Sequence, residues 1–198
     1  IRVLRTKSSA SALPGNWRKD PSVSGGGVLV DHGWHNLYLM RRLLGPDLKP
    51  VEIVLHWSGA GKTAAVDEVA TMLLKAPSTS SRYRSVSGTI HLSWCAGERS
   101  NSAFVMGEKG TAELRDDMIV VQAEGLDETI RFPDKLSAGS AHPDWLAAMW
   151  PTFEAECSGR SRGENLAETE FCLKSIRAAY ARFRIFSGGS GKRGSANP

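Results

Sequence analysis

The sequence predicts an α+β domain: an open, mainly antiparallel sheet with helices packed on one face. Three observations carry this. An apolar stripe of helical spacing lies early in the chain, between a glycine run and a Gly-Pro stop. The middle of the chain is a succession of short β-patterned segments with no helix between them, and parallel crossovers would need longer connections. Two more helical stripes close the chain. Helix, then strands, then helices is the block order of a layered α+β fold.

The elements follow in order. Residues 1–24 are polar and rich in Ser, Pro and Gly; Ile1–Leu4 is expected as an edge strand and the rest as an extended lead-in loop. Gly25-Gly26-Gly27 opens a helix over about 27–44, with Val30, Trp34, Leu37, Met40 and Leu44 on one face. Gly45-Pro46 stops it, because Gly takes the left-handed position after a helix and Pro cannot continue one. Strands are expected at 51–57, 66–75 and 85–95. Ala103–Met106 and Thr111–Leu114 flank Gly107-Glu108-Lys109-Gly110, a hairpin turn, and Met118–Gln122 and Thr129–Phe132 complete the sheet. A helix over 142–157 carries Trp145, Leu146, Met149, Trp150 and Phe153, with Pro151 expected to kink or split it. The last helix spans about 164–186, and residues 187–198 read as a disordered tail.

Composition narrows the classes. With 198 residues, 41% hydrophobic and 23% charged, the chain is long enough for one domain with its own core and needs no disulfide or metal staple. Cys95, Cys157 and Cys172 form no CxxC pair, which argues against a disulfide framework and a cysteine zinc site and favours a reducing, cytoplasmic setting. No apolar run approaches the roughly 18 residues of a membrane helix. The chain starts at Ile1 rather than Met, so it is expected to be processed or part of something longer. The net charge of +4 is uneven: residues 160–198 hold eight Lys/Arg against three Glu, and the rest is close to neutral. A basic last helix and tail, without interleaved aromatics or a recognisable module, does not make a nucleic-acid face.

Two glycine motifs fail their functional tests. Gly59-Ala60-Gly61-Lys62-Thr63 ends like a phosphate loop, but His56 stands where the pattern needs Gly. Gly25–Gly27 follows no buried strand, and Val30 stands where the last glycine of a dinucleotide fingerprint would be. The informative run is Gly25-Gly26-Gly27-Val28-Leu29-Val30-Asp31-His32-Gly33-Trp34-His35. Asp31 and His35 are four apart and share a helix face. A carboxylate there can hold one imidazole nitrogen and leave the other for proton transfer. The same spacing also suits a helix-stabilising ion pair or a packed histidine. Asp31, His32 and His35 cannot all converge on one metal ion from a single helix, so no metal site is expected.

Asn16-Trp17-Arg18, the glycine–Asp–His run and Leu43-Leu44-Gly45 together resemble the C-terminal domain of the Gfo/Idh/MocA oxidoreductases. Gly88-Thr89-Ile90-His91-Leu92-Ser93-Trp94, Gly107-Glu108-Lys109-Gly110-Thr111, Asn165-Leu166-Ala167-Glu168 and Ala178-Ala179-Tyr180 agree in order and spacing, so the resemblance covers roughly residues 10–185. It implies a substrate-binding and oligomerisation domain, residues 1–186, of an NAD(P)-dependent oxidoreductase acting on a sugar, cyclitol or similar polyol. His35 would shuttle the substrate hydroxyl proton, and Asp31 would orient His35 or bind a hydroxyl. Arg18, Trp17 and His32 would contact substrate. Tyr38 stands where many members carry an acidic residue. NAD or NADP would be held by a Rossmann domain absent from this chain, so residues 1–198 alone are expected to bind no cofactor and to be inactive. The expected partners are the polyol and a second copy through the uncovered sheet face, with neither nucleic acid nor membrane. The alternative is a stand-alone, non-catalytic dimerisation or ligand-binding module of the same descent.

Overall fold

The computed structural model describes residues 1–6, 16–57, 66–79, 82–137, 143–161 and 163–187. Eight strands form one sheet: β1 (Arg2–Thr6), β2 (Lys49–His56), β3 (Val69–Pro77), β4 (Ser85–Ala96), β5 (Ser100–Gly107), β6 (Gly110–Arg115), β7 (Met118–Ala123) and β8 (Leu126–Arg131). Their spatial order is β2-β3-β4-β1-β5-β6-β7-β8. Every pairing is antiparallel except β1 with β4. The helices are α1 (Pro21–Ser24), α2 (Val28–Leu44), α3 (Pro143–Cys157) and α4 (Glu164–Ser187), with a 3-10 turn at Trp17–Lys19.

β1 corrects the expected edge strand. It lies inside the sheet, pairing Val3 with Leu92 on one side and with Asn101 on the other. The long connection through α2, β2 and β3 is what permits its parallel pairing. Residues 16–24 of the expected lead-in loop instead hold a 3-10 turn and a short helix. Asp20 accepts from the Ser22 amide at 2.9 Å and caps α1, Pro21 fills the first helical position, and Gly25 closes α1 with φ 74°.

α2 and α4 cover one face of the sheet. Leu29, Leu37 and Met40 of α2 and Cys172, Ile176 and Ala179 of α4 pack on Ala70, Met72, Leu74, Ile90, Leu92 and Trp94. Each fully buried Leu there contributes about 1.5–3 kcal/mol. α3 forms where the sequence expects it, but none of its residues is buried, and Trp145, Leu146, Met149, Trp150 and Phe153 are all exposed. It also runs unbroken through Pro151. On an exposed helix, water can take the carbonyl that the missing proline N–H leaves unpaired.

The register places Val105, Ile119 and Val121 on the same side as Val3, the side that α2 and α4 occupy further along. They therefore do not line the uncovered sheet face expected to meet a second copy. That far face instead carries Val54, Leu73, Phe104 and Met106 among Thr71, His91, Glu113 and Arg115. The Gly59–Thr63 motif, His142 and the tail after Ser187 lie outside the described residues.

Candidate functional site

The site begins where the glycine run meets the sheet. An ideal Cβ on Gly27 would stand 1.9 Å from the Asp67 carbonyl oxygen, and one on Gly26 would stand 2.4 Å from the Tyr180 hydroxyl. Glycine is required there because protein groups approach the backbone that closely. Asp67 is 1% exposed and bonds the opening amides of α2.

Asp31 follows in the first turn of α2, where a carboxylate is favoured by the positive end of the helix dipole. Its Oδ1 accepts from Arg18 Nε at 3.2 Å, and its Oδ2 lies 3.5 Å from His32 Nε2. The Arg18 guanidinium also stacks over the Trp17 ring at 4.6 Å. The strap before α1 thus lays Trp17 and Arg18 across the start of α2. Trp17 is half exposed, with its ring open to solvent.

His32 is the most perturbed group of the cluster. Burial pushes its imidazole down to about 4; Asp31 opposes the shift, and the charges of Arg5, His35 and Arg18 assist it. It is therefore neutral at neutral pH, with one ring nitrogen able to accept. His35 lies one turn after Asp31 and is exposed. Among the described residues no hydrogen bond joins it to Asp31, whose carboxylate is turned to Arg18 and His32. A permanently charged guanidinium is a strong claimant on a carboxylate.

The structure therefore brings Trp17, Arg18, Asp31 and His32 into contact and sets His35 beside them. Sequence reasoning missed Arg5, Asp67 and Tyr180's role. Arg5 is tied to its neighbours' Leu4 carbonyl at 2.9 Å and Asn101 Oδ1 at 3.1 Å, and its charge reaches both Asp31 and His32. Nothing in the local sequence marks it. Asp67 had one available signal: a helix that starts on glycine, without a capping side chain, needs its cap from elsewhere.

Among the described residues no group of three His, Cys, Asp or Glu could hold a metal ion. The residues also do not fit a dinucleotide pyrophosphate. Such a group binds free amides at a helix start, and those of Gly27, Val28 and Leu29 are already bonded to Asp67. No described helix is long and apolar enough to cross a membrane.

Residues 1–113 match the family described as GFO/IDH/MocA C-terminal domain. Solved structures match over most of this chain and about half of their own length. A levoglucosan dehydrogenase in complex with NADH and L-sorbose is 16% identical, with TM-score 0.63, over 91% of this chain and 56% of that one. KijD10, a 3-ketoreductase from Actinomadura kijaniata in complex with TDP-benzene and NADP, is 17% identical, with TM-score 0.56, over 90% of this chain and 49% of that one. GnnA, a UDP-N-acetylglucosamine 3-dehydrogenase from Acidithiobacillus ferrooxidans, is 18% identical, with TM-score 0.53, over 91% and 52%. No curated protein matches the sequence. At these identities the structural likeness is a likeness of fold.

Proposed function

The chain belongs to the GFO/IDH/MocA C-terminal domain family, and from that premise we propose that residues 1–186 are the substrate-binding and oligomerisation domain of an NAD(P)-dependent oxidoreductase acting on a sugar, cyclitol or similar polyol. The observation that carries the reading is the cluster at the start of α2: a carboxylate, a guanidinium, a neutral imidazole, an open indole and an exposed imidazole within two helical turns. That set supplies donors and acceptors for hydroxyl groups and an aromatic face for the apolar face of a sugar ring.

The geometry supports the following roles. His35 is exposed, so it is the group placed to take a proton from a substrate hydroxyl and return it in the reverse direction. Asp31 holds Arg18 in place, and both offer their remaining bonding capacity to neighbouring hydroxyls. Neutral His32 contributes an acceptor. NAD or NADP is held by a separate nucleotide-binding domain of a longer protein. The far sheet face, with Phe104 and Met106 exposed, is the surface for a second copy.

The test is His35→Ala in a protein that carries both domains. It lowers kcat by ~10²–10⁴-fold and leaves cofactor affinity near its starting value. Asp31→Asn lowers kcat less. Residues 1–198 alone turn over no polyol with NAD or NADP. An unchanged kcat in His35→Ala, or turnover by the isolated chain, would overturn the reading.

A further inference from the structure

The helix that carries the cluster has no cap of its own. Gly27 precedes α2 and bonds none of its free amides through a side chain. The cap arrives from 40 residues further along the chain. Asp67 Oδ1 accepts the Gly27 amide at 2.8 Å, and Oδ2 accepts the Leu29 amide at 2.9 Å. The carbonyl oxygen of the same residue accepts the Val28 amide at 2.8 Å. Tyr180 of α4 then donates its hydroxyl to Oδ1 at 2.5 Å and accepts from the Gly27 amide at 3.3 Å. Among the described residues Asp67 forms no ion pair. Two amides, a phenol and the positive end of the helix dipole surround its buried carboxyl group.

We propose that Asp67 and Tyr180 are positioning residues of the site, a clamp that fixes the first turn of α2, and with it Asp31, His32 and His35, against the sheet and α4. Ordinary capping needs one side chain and constrains only the helix that bears it. Here the cap belongs to the connection into β3 and is locked by a residue of α4, so three separate elements meet on one carboxylate. The helix cannot rotate or slide at its start without breaking several buried bonds together, each costly to leave unmade. The glycines complete the device: Gly26 and Gly27 are the positions where a Cβ would collide with Tyr180 and Asp67.

The proposal rests on the function proposed above only for its catalytic readout. The first experiment uses residues 1–198 and follows the His32 imidazole by NMR against pH, with the remote His91 as reference. Loosening the first turn lets water reach His32, so in Asp67→Asn its midpoint moves up from about 4 toward the ordinary 6.5 by a unit or more, while His91 stays where it was. Loss of a negative charge by itself lowers a neighbouring imidazole, so an upward shift reports movement of the helix. Tyr180→Phe, which keeps the carboxylate, gives a smaller shift of the same sign.

In a protein with both domains, Asp67→Asn lowers kcat roughly 10–100-fold with the cofactor KM unchanged, because small misplacement of catalytic groups costs rate. A folded Asp67→Asn with an unmoved His32 midpoint and unchanged kcat overturns the clamp. If Asp67→Asn does not fold, Tyr180→Phe decides by the same two readings. An inert His35→Ala would sink the proposed function yet leave the His32 titration result standing, so the two failures are distinguishable.

Discussion

The two halves of the sheet share one strand pattern and differ in what covers it. β2, β3, β4 and β1 lie under α2 and α4, and among the described residues all the buried apolar side chains come from these elements and the connections beside them. The described residues of 97–161, which include β5 to β8 and α3, contribute none. Yet Met118-Ile119-Val120-Val121 in β7 is as apolar as Thr71-Met72-Leu73-Leu74 in β3. A strand is buried by the layer placed over it, and composition cannot supply that layer. The half that carries the candidate site is the half with two layers, so its polar groups are held by a packed core.

The comparison breaks first at the core. Leu92, fully buried under α2, loses about 2–5 kcal/mol on truncation to Ala. Met106, 78% exposed in β5, loses about 0.5 kcal/mol or less in the same experiment. Denaturant melts of Leu92→Ala and Met106→Ala measure both. Equal losses would mean that the distal half is packed in solution as tightly as the site half.

A second probe is acid. His32 is depressed in the folded chain, so between about 4 and 6.5 the unfolded chain binds the extra proton. Its contribution to stability is full above 6.5 and is lost as the pH falls through that window, by roughly 3 kcal/mol in all. Melts of the native chain from pH 7 to pH 4 show this slope, and His32→Asn flattens most of it. His91, lowered by burial, and the carboxyl groups of Glu113 and Glu170, lowered by hydrogen bonds from Arg115 and Lys174, add to the slope in the same direction. A slope unaltered in His32→Asn would place the acid sensitivity away from the site.

The smallest effect on folding is expected on the far face. Phe104→Glu leaves the melting temperature of the chain within a degree or two, since its ring is already exposed. If that face joins two copies, the substitution shifts sedimentation toward the monomer at micromolar protein. A native chain that sediments as a monomer at that concentration removes the interface from the proposal.

Most of the fold was legible from periodicity and punctuation. Gly27 and Gly45 bound α2 as expected, and the Glu108-Lys109 turn joins the two strands predicted to flank it, paired antiparallel. β1 was not legible as an interior strand, because its polar residues Arg2, Arg5 and Thr6 read as an edge and only long-range pairing shows otherwise. The amphipathic stripe of α3 promised burial that no described layer provides. At the site, helical spacing put Asp31 and His35 on one face, but spacing carries no knowledge of Arg18, which arrives from a separate strap and takes the carboxylate. Asp67 was hidden for the same reason: its partners lie at residues 27, 29 and 180.

The central place of β1 also sets an order of events. The strand that joins the two halves of the sheet precedes all of its partners in the chain: Val3 pairs with Leu92 and with Asn101. At roughly 5–20 residues per second, its partners emerge on the order of ten seconds after it. Until then the β2-β3-β4 meander can form locally, while Arg2–Thr6 must stay unpaired and available. Closing so long a loop is the late, entropically costly step of such a topology. The five residues Arg2–Thr6 thus decide when two separately formed meanders become one sheet.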